Sequence, residues 1–375
     1  MSDTTAAPPP PPAPKDLHRF PCEACGADLR YQPGATELVC DHCGHRQAIE
    51  GMAPAPGKIL EIDYLAALKG LDVAETEVTR VTTCPNCAAQ VEFDPAVHAT
   101  ECPFCATPVV ADTGESRQIK PKGVLPFALD ERTAKQAMTD WLGRLWFAPN
   151  GLQQYARKGR RLEGIYVPFW TYDAQTKSSY SGQRGTVYYV TESRMRDGKM
   201  ESVQVQKVRW TPVSGRVARF FDDVLVLASR SLPRDLTDAL EPWDLSEMTP
   251  YTPEILAGFR AEAYTVELPE GLDTARAYMD RVILRDVKFD IGGDRQQVHR
   301  VDTEVSAVTF KHVLLPVWLA AYKYRGKTYR FVVNGQTGKV QGERPWSAWK
   351  IAGAVVLGLL VAGVIGAILA ANGGN

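Results

Sequence analysis

The stretch Cys84–Cys105, "CPNCAAQVEFDPAVHATECPFC", holds two C-x-x-C pairs separated by fourteen residues. The same layout occurs upstream at Cys22–Cys43, "CEACGADLRYQPGATELVCDHC". All eight cysteines of the chain fall in these two frames: Cys22, Cys25, Cys40 and Cys43, then Cys84, Cys87, Cys102 and Cys105. A secreted disulfide framework spreads its cysteines to staple distant segments; here each set of four is local and closed. The spacing is that of a four-thiolate metal site, and zinc takes four such ligands in a tetrahedron. Iron in a rubredoxin-like site has a similar knuckle, but zinc is the expected metal, one ion per frame and two per chain.

A shift of 62 residues superposes the frames and also aligns Leu29 with Val91, Tyr31 with Phe93 and Pro33 with Pro95. The repeat therefore extends beyond cysteine to a small ribbon core. Gly26 and Gly44 directly follow their pairs, where a knuckle needs a left-handed residue, and Pro85 and Pro103 stiffen the second frame. Each module is too small to fold on apolar burial alone, so metal binding supplies the missing free energy. His42 and His45 flank Cys40 and Cys43, but four thiolates already complete the set. A catalytic zinc keeps an open position, so no chemistry is expected at these metals.

Charge argues against nucleic acid as the ribbons' partner. Phe20–Ala48 carries four acids and two bases, and Cys84–Cys105 three acids and no Lys or Arg. Phosphate contacts require cations, and the whole chain, at a net charge of -1, exerts no pull on polyanions. A protein partner fits these modules better.

The second extreme segment is "IAGAVVLGLLVAGVIGAILAA", 351–371, uncharged throughout. A helix of that length spans the roughly 30 Å hydrocarbon core of a bilayer. Arg344, Lys350, Trp346 and Trp349 flank its start, and positive charge stays in the cytoplasm. The expectation is a single-pass C-terminal anchor, with the bulk of the chain cytoplasmic. The fold class that follows is multidomain: a Pro-rich leader over 1–19, ribbon 1 over 20–48, a helical connector over 49–83, ribbon 2 over 84–110, a linker over 111–123, an antiparallel α+β body over 124–345, and a transmembrane helix over 351–371.

Within the body, Asp130 caps a predicted helix whose apolar positions are Ala134, Ala137, Met138, Trp141, Leu142, Leu145 and Trp146, ended by Pro149. The segments "GIYVPFWTYDA", "SSYSGQRGTVYYV", "ESVQVQKVRW" and "DDVLVLAS" read as separate strands, with "RDGK" at Arg196–Lys199 as a hairpin turn. A second helix begins near Asp273, with Ala275, Tyr278, Met279, Val282 and Ile283 on one face. Offset by 141 residues, Ala134 meets Ala275 and Met138 meets Met279. "HVLLPVWLAAYKY" echoes "GIYVPFWTYDA", with Pro168 and Trp170 matching Pro316 and Trp318, and an Asn334-Gly335 turn follows. An internal duplication of a helix-strand-strand unit is the reading.

No catalytic motif emerges, and the chain is expected not to be an enzyme. "RGKT" (Arg325–Thr328) imitates the end of a phosphate loop, but Ala321 stands where its first glycine belongs. His299 and His312 are isolated. "RKGRR" (Arg157–Arg161) reads as solvated surface, with anionic head groups or an acidic partner as the sharper alternative.

The segments "LWFAPN", "YVPFWTYDA", "YSGQRG", "RWTPVSG", "DALEPWDL", "DIGGDRQ", "TFKHVLLPVWLAAY" and "NGQTGKVQGERPWS" resemble the bacterial family of tail-anchored, double zinc-ribbon membrane proteins. Its members are often labelled transcription-factor-IIB-type zinc-finger proteins or primosomal protein N' (replication factor Y) superfamily II helicases. The resemblance runs from Phe20 nearly to the end. It implies association with flotillin-like (SPFH) membrane scaffolds and no catalytic residue. Two function classes follow: a membrane-anchored adaptor, and, as the helicase label suggests, a nucleic-acid-handling protein.

Overall fold

A computed structural model describes residues 20–49, 59–70, 76–92, 99–105, 107–110, 114–146, 162–196, 199–324, 327–343 and 347–372. The Pro-rich leader, the basic run 157–161, Pro149, the 197–198 turn tip, Phe93, Pro95, Arg344 and Trp346 lie outside the described residues.

The first ribbon contributes β1 (Leu29–Tyr31), β2 (Glu37–Cys40) and β3 (Arg46–Ala48), a three-stranded antiparallel sheet. Next come β4 (Ile62–Asp63) and α1 (Tyr64–Lys69). The second ribbon region holds β5 (Thr76–Thr83), β6 (Gln90–Glu92), β7 (Ala99–Glu101), β8 (Pro108–Val110) and β9 (Gly114–Ile119). Strand β5 pairs with both β6 and β9, and β7 pairs with β8. The body follows with β10 (Gly123–Val124), α2 (Glu131–Gly143), β11 (Glu163–Arg196), β12 (Lys199–Leu227), α3 (Arg234–Asp238), β13 (Thr249–Pro250) and β14 (Arg260–Ala261). It closes with α4 (Leu268–Ile291), β15 (Arg295–Tyr324), β16 (Lys327–Asn334), β17 (Val340–Gly342) and α5 (Ala348–Asn372).

Three very long antiparallel strands, in the order β12-β11-β15, form the spine of the nine-stranded body sheet. The four strand segments expected before β15 are two continuous strands. The polar run Gln175–Ser179 and Pro212 look like breaks in the sequence. Pairing on both sides of β11 carries the first through, and a proline is tolerated at a sheet edge. Twist is absorbed by bulges: β12 inserts an extra residue opposite Asp173 and β15 one opposite Ala174, and Asp223 and Ala307 adopt positive φ there (50° and 49°). At this double bulge the buried Lys311 ammonium meets Asp223 Oδ1 at 2.7 Å and Glu61 Oε1 at 3.3 Å, fastening the β4 segment to β15. Burial pushes the neighbouring Asp173 carboxyl up to about 7.

Helix α2 starts at Asp130 as expected: its side chain accepts from the Thr133 N–H at 2.8 Å. The helix ends at Gly143, so Leu145 and Trp146 lie beyond it, and Trp146 is exposed. Helix α4 begins at Leu268, one turn before the expected start. Leu268, Leu272, Ala275, Met279, Ile283, Val287 and Ile291 recur every three or four residues and are all buried. They share a core with Tyr172, Ala174, Tyr180, Phe221, Val224 and Phe310 of the long sheet.

The register repeats itself. Strands β11 and β15 cross at the pair Val167↔Leu315, and 148 residues separate these two partners. The same separation holds between Pro168 and Pro316, and between Trp170 and Trp318. Strand β10 runs parallel to β15 at Val313 and Leu314, while β14 runs parallel to β11 at Ile165 and Tyr166, the positions 148 residues earlier. The Ala228 N–H donates to the Pro168 carbonyl, and the Gly335 N–H to that of Pro316. Trp170 Nε1 donates to the Val266 carbonyl at 2.9 Å, two residues before α4; Trp318 Nε1 donates to the Leu129 carbonyl at 3.0 Å, two residues before α2. A local two-fold through Val167 and Leu315 therefore relates these contacts, and each long strand's tryptophan holds the helix that leads into the other long strand.

These indole bonds can be tested. Trp170→Phe keeps most of the apolar volume but leaves a buried carbonyl unpaired, a loss of about 1–3 kcal/mol. A thermal midpoint within 1 °C or so of wild type would show that the bond contributes nothing.

Candidate metal centres

Each cysteine frame converges on a point. In the first, Cys22 Sγ lies 3.7 Å from Cys43 Sγ, and Cys25 Sγ 3.5 Å from Cys40 Sγ. In the second, Cys84 and Cys105 are 3.6 Å apart and Cys87 and Cys102 3.7 Å. Within each set the four sulfurs lie within 4.8 Å of one another. A tetrahedron with metal–sulfur bonds of about 2.3 Å has an edge of about 3.8 Å, whereas a disulfide would require about 2.05 Å. The two Cys₄ groups could each hold a metal ion, consistent with two zinc ions per chain.

Local backbone geometry explains the convergence. In all four pairs the N–H of the first cysteine donates to the carbonyl five residues on: Cys22 to Ala27, Cys40 to His45, Cys84 to Ala89 and Cys102 to Thr107, at 2.7–2.9 Å. A return bond from the residue four on to the first cysteine's carbonyl closes three of these loops, from Gly26, Gly44 and Ala88. That residue is left-handed: Gly26 and Gly44 sit at φ 76° and 75°, and Ala88 at 57°. Backbone amides also point at sulfur. The N–H of Cys43 is the main influence drawing the Cys40 thiol down to about 6, and the Cys102 thiol draws Cys87 down to about 5. A metal ligand must be a thiolate, so the Cys43 amide favours the binding form at Cys40, whereas the Cys87–Cys102 contact lowers Cys87 and raises Cys102 in turn.

Ala88 stands where the 62-residue shift places Gly26. An L-residue in the left-handed region costs roughly 1–2 kcal/mol, and the first ribbon avoids this with glycine. Ala88→Gly should raise the thermal midpoint and slow metal loss to a chelator; a faster loss would show that the alanine is favourable where it stands.

Packing joins both clusters to the body. Cys22, Leu29, Tyr31, Leu38 and Cys40 belong to the same core as Phe127, Tyr166, Ile255 and Leu256 of the body. The Tyr31 N–H donates to the Ala257 carbonyl at 2.9 Å, and the Gly34 N–H to Phe127 at 2.9 Å. Around the second cluster, Cys84, Ala89, Cys102, Phe104 and Cys105 are buried with Leu125, Ile165, Val167, Leu236 and Leu315. Arg330 Nε donates to the Phe104 carbonyl at 2.8 Å, and the Ala263 N–H to Gln90 at 3.1 Å. Next to this contact the fully buried Glu262 accepts from Ser229 Oγ at 2.7 Å and from Ser231. Burial pushes its carboxyl up to about 8.

The remaining sequence candidates scatter. Lys327 and Thr328 begin strand β16 and do not lead into a helix as a phosphate loop does. His299 is on β15 and exposed, whereas His312 is buried between Trp170 and Tyr264 with Nδ1 on the Ile119 carbonyl at 2.7 Å. Burial draws this imidazole down to about 4, leaving it neutral.

Fold and sites define a protein with two Cys₄ clusters seated on a mostly antiparallel sheet body, followed by one apolar helix long enough to cross a membrane. The chain is 26% identical over 337 residues to the uncharacterized protein YdjG of Bacillus subtilis (strain 168), covering 89% of this chain and 92% of that relative. No protein-family model and no solved structure matches it.

Proposed function

We propose that this chain is a membrane-anchored zinc-ribbon adaptor, which holds protein partners at the cytoplasmic face of a bacterial inner membrane. The observation that carries this reading is the placement of the clusters. Both are closed four-sulfur sites packed into the body core, while α5 is apolar and has none of its Trp349–Gly366 window buried in the body. Closed clusters of this kind shape a surface and leave no open metal position for substrate. The acidic charge balance of the ribbons directs that surface toward protein. The resemblance to the tail-anchored family points to a flotillin-like SPFH scaffold as the partner class. The chain does no chemistry of its own, and nucleic acid is not its ligand.

The test is affinity capture of the full-length chain from gently solubilised membranes. An SPFH scaffold should co-purify with wild type and be lost when the first cluster is disabled by Cys25→Ser. DNA-stimulated ATP turnover that disappears with Lys327→Ala would instead establish the nucleic-acid reading.

A further inference from the structure

The long hairpin outruns its support. Strand β15 begins at Arg295, opposite Gly185, and α4 ends at Ile291. Beyond Gly185, β11 and β12 continue as a two-stranded arm whose pairing persists to Arg196↔Lys199. Eleven steps of about 3.3 Å make it roughly 35 Å long. Among the described residues, β12 pairs with β11 and with no other strand, so one edge is open along its whole length.

The direction of the backbone groups on that edge can be worked out. The Val187 N–H donates to Asp294 Oδ2 at 2.7 Å, and the Gly185 carbonyl accepts from the Asp294 N–H at 2.9 Å. Both groups point away from β12. Odd positions of β11 here are therefore non-hydrogen-bonded with β12, and so are their partners: Val208, Gln206, Gln204, Ser202 and Met200. The N–H and C=O groups of these even residues face the open edge, as do those of Trp210, which pairs with Gly185. Pro212, opposite Gln183, belongs to the same set, so its donor-less nitrogen faces outward. The proline blocks the edge at the base of the arm and leaves the stretch from Met200 to Trp210 open.

That open stretch is complementary to itself. The described side chains on the arm face that includes Val187, Val208, Tyr189, Gln206, Thr191, Gln204, Ser193, Ser202, Met195 and Met200 are all uncharged; Lys207, Arg209, Glu192 and Arg194 are on the other. If two copies of β12 pair antiparallel about Val205, Gln204 faces Gln206, Ser202 faces Val208 and Met200 faces Trp210. No charged side chain enters that face. The hydrogen-bonding parity is correct, since every one of these pairs joins outward-facing residues, giving about twelve backbone bonds. The ladder stops just before Pro212. Its two-fold axis runs perpendicular to the sheet. Long exposed edges are templates for strand addition.

We propose that the arm is a self-association element, and that a second copy of this chain pairs with it edge to edge through Met200–Trp210, centred on Val205.

The experiment is cysteine cross-linking of the zinc-loaded, full-length chain in detergent. In the proposed pair the two copies of position 205 form a non-hydrogen-bonded couple with Cα atoms about 4.5 Å apart, within disulfide range. The two copies of position 203 would be about 14 Å apart. Val205→Cys should give a reductant-sensitive dimer at least about tenfold more abundant than Val203→Cys gives. Adding Gln206→Pro removes only an outward N–H, and should abolish that dimer with zinc content and circular dichroism unchanged. Equal cross-linking at 203 and 205, insensitivity to Gln206→Pro, or a disulfide from the thiol introduced at position 205 to a foreign chain would overturn the proposal. Should Val205→Cys disturb folding, sedimentation of wild type and of Gln206→Pro alone decides it: dimer and monomer support the pairing, equal masses refute it.

Discussion

Cys102→Ser should remove one of two bound zinc ions and, with it, much of the body's stability. Wild type should contain two zinc per chain by elemental analysis, and the variant one. The sequence alone predicts a local effect, with one ribbon unfolding and the body intact. Packing argues otherwise. Cys102, Phe104 and Cys105 are buried beside Ile165, Val167 and Phe169 at the centre of the long sheet, and Phe104 also holds Arg330 on β16. Structural zinc contributes on the order of 10–16 kcal/mol to its module, comparable to the entire stability of a typical domain. A metal-free ribbon would expose its side of a shared core; losing a residue of Phe104's size from such a core alone costs about 3–5 kcal/mol. Limited proteolysis should therefore cut within the body as well as near residue 102, and the thermal midpoint of the remainder should fall by many degrees. A body that resists protease and melts as in wild type would show that the ribbon is a detachable clip.

What the sequence discloses divides along physical lines. A tetrahedral thiolate site is specified by spacing within about twenty residues, so the cysteine frames are legible in full. The apolar stretch of α5 is legible for the same reason: composition and length decide it. The long strands are not. Gln175, Lys177 and Ser179 alternate with Thr176 and Ser178, and none is apolar; they hold extended structure because β12 and β15 flank them on both sides. Pairing of that kind is contributed by partners 37 to 131 residues away, and no local window contains it. Pro168, Trp170, Pro316 and Trp318 advertise a repeat. That each tryptophan reaches the other half's helix is a consequence of antiparallel crossing at Val167 and Leu315, visible only in three dimensions. Phe104 and Leu38 look like ribbon core residues in sequence and prove to be shared with the body. Ala88 is legible only through the repeat: the 62-residue shift lays it on Gly26, and its positive φ shows that it takes the same left-handed turn.

Deleting Ala348–Asn375 should convert the protein from membrane-bound to soluble while both metal clusters stay filled. No residue of the Trp349–Gly366 window of helix α5 is buried in the body, so its loss takes no core away. In water that window leaves Val355, Val356, Leu357, Leu359, Leu360, Val361, Val364 and Ile365 exposed. At about 1.5–3 kcal/mol for burying each such side chain, these eight alone favour transfer out of water by on the order of 10–20 kcal/mol. A preference that large leaves essentially no soluble population of the intact chain, and neither high salt nor carbonate should strip it from membranes. The truncated chain should appear almost wholly in the supernatant with two zinc ions per chain. Salt-sensitive retention of the truncated chain would point to a basic segment such as the sequence run 157–161 acting on anionic head groups. Retention that resists salt would mean that a membrane-embedded partner holds the body. Either result would remove the anchor from α5.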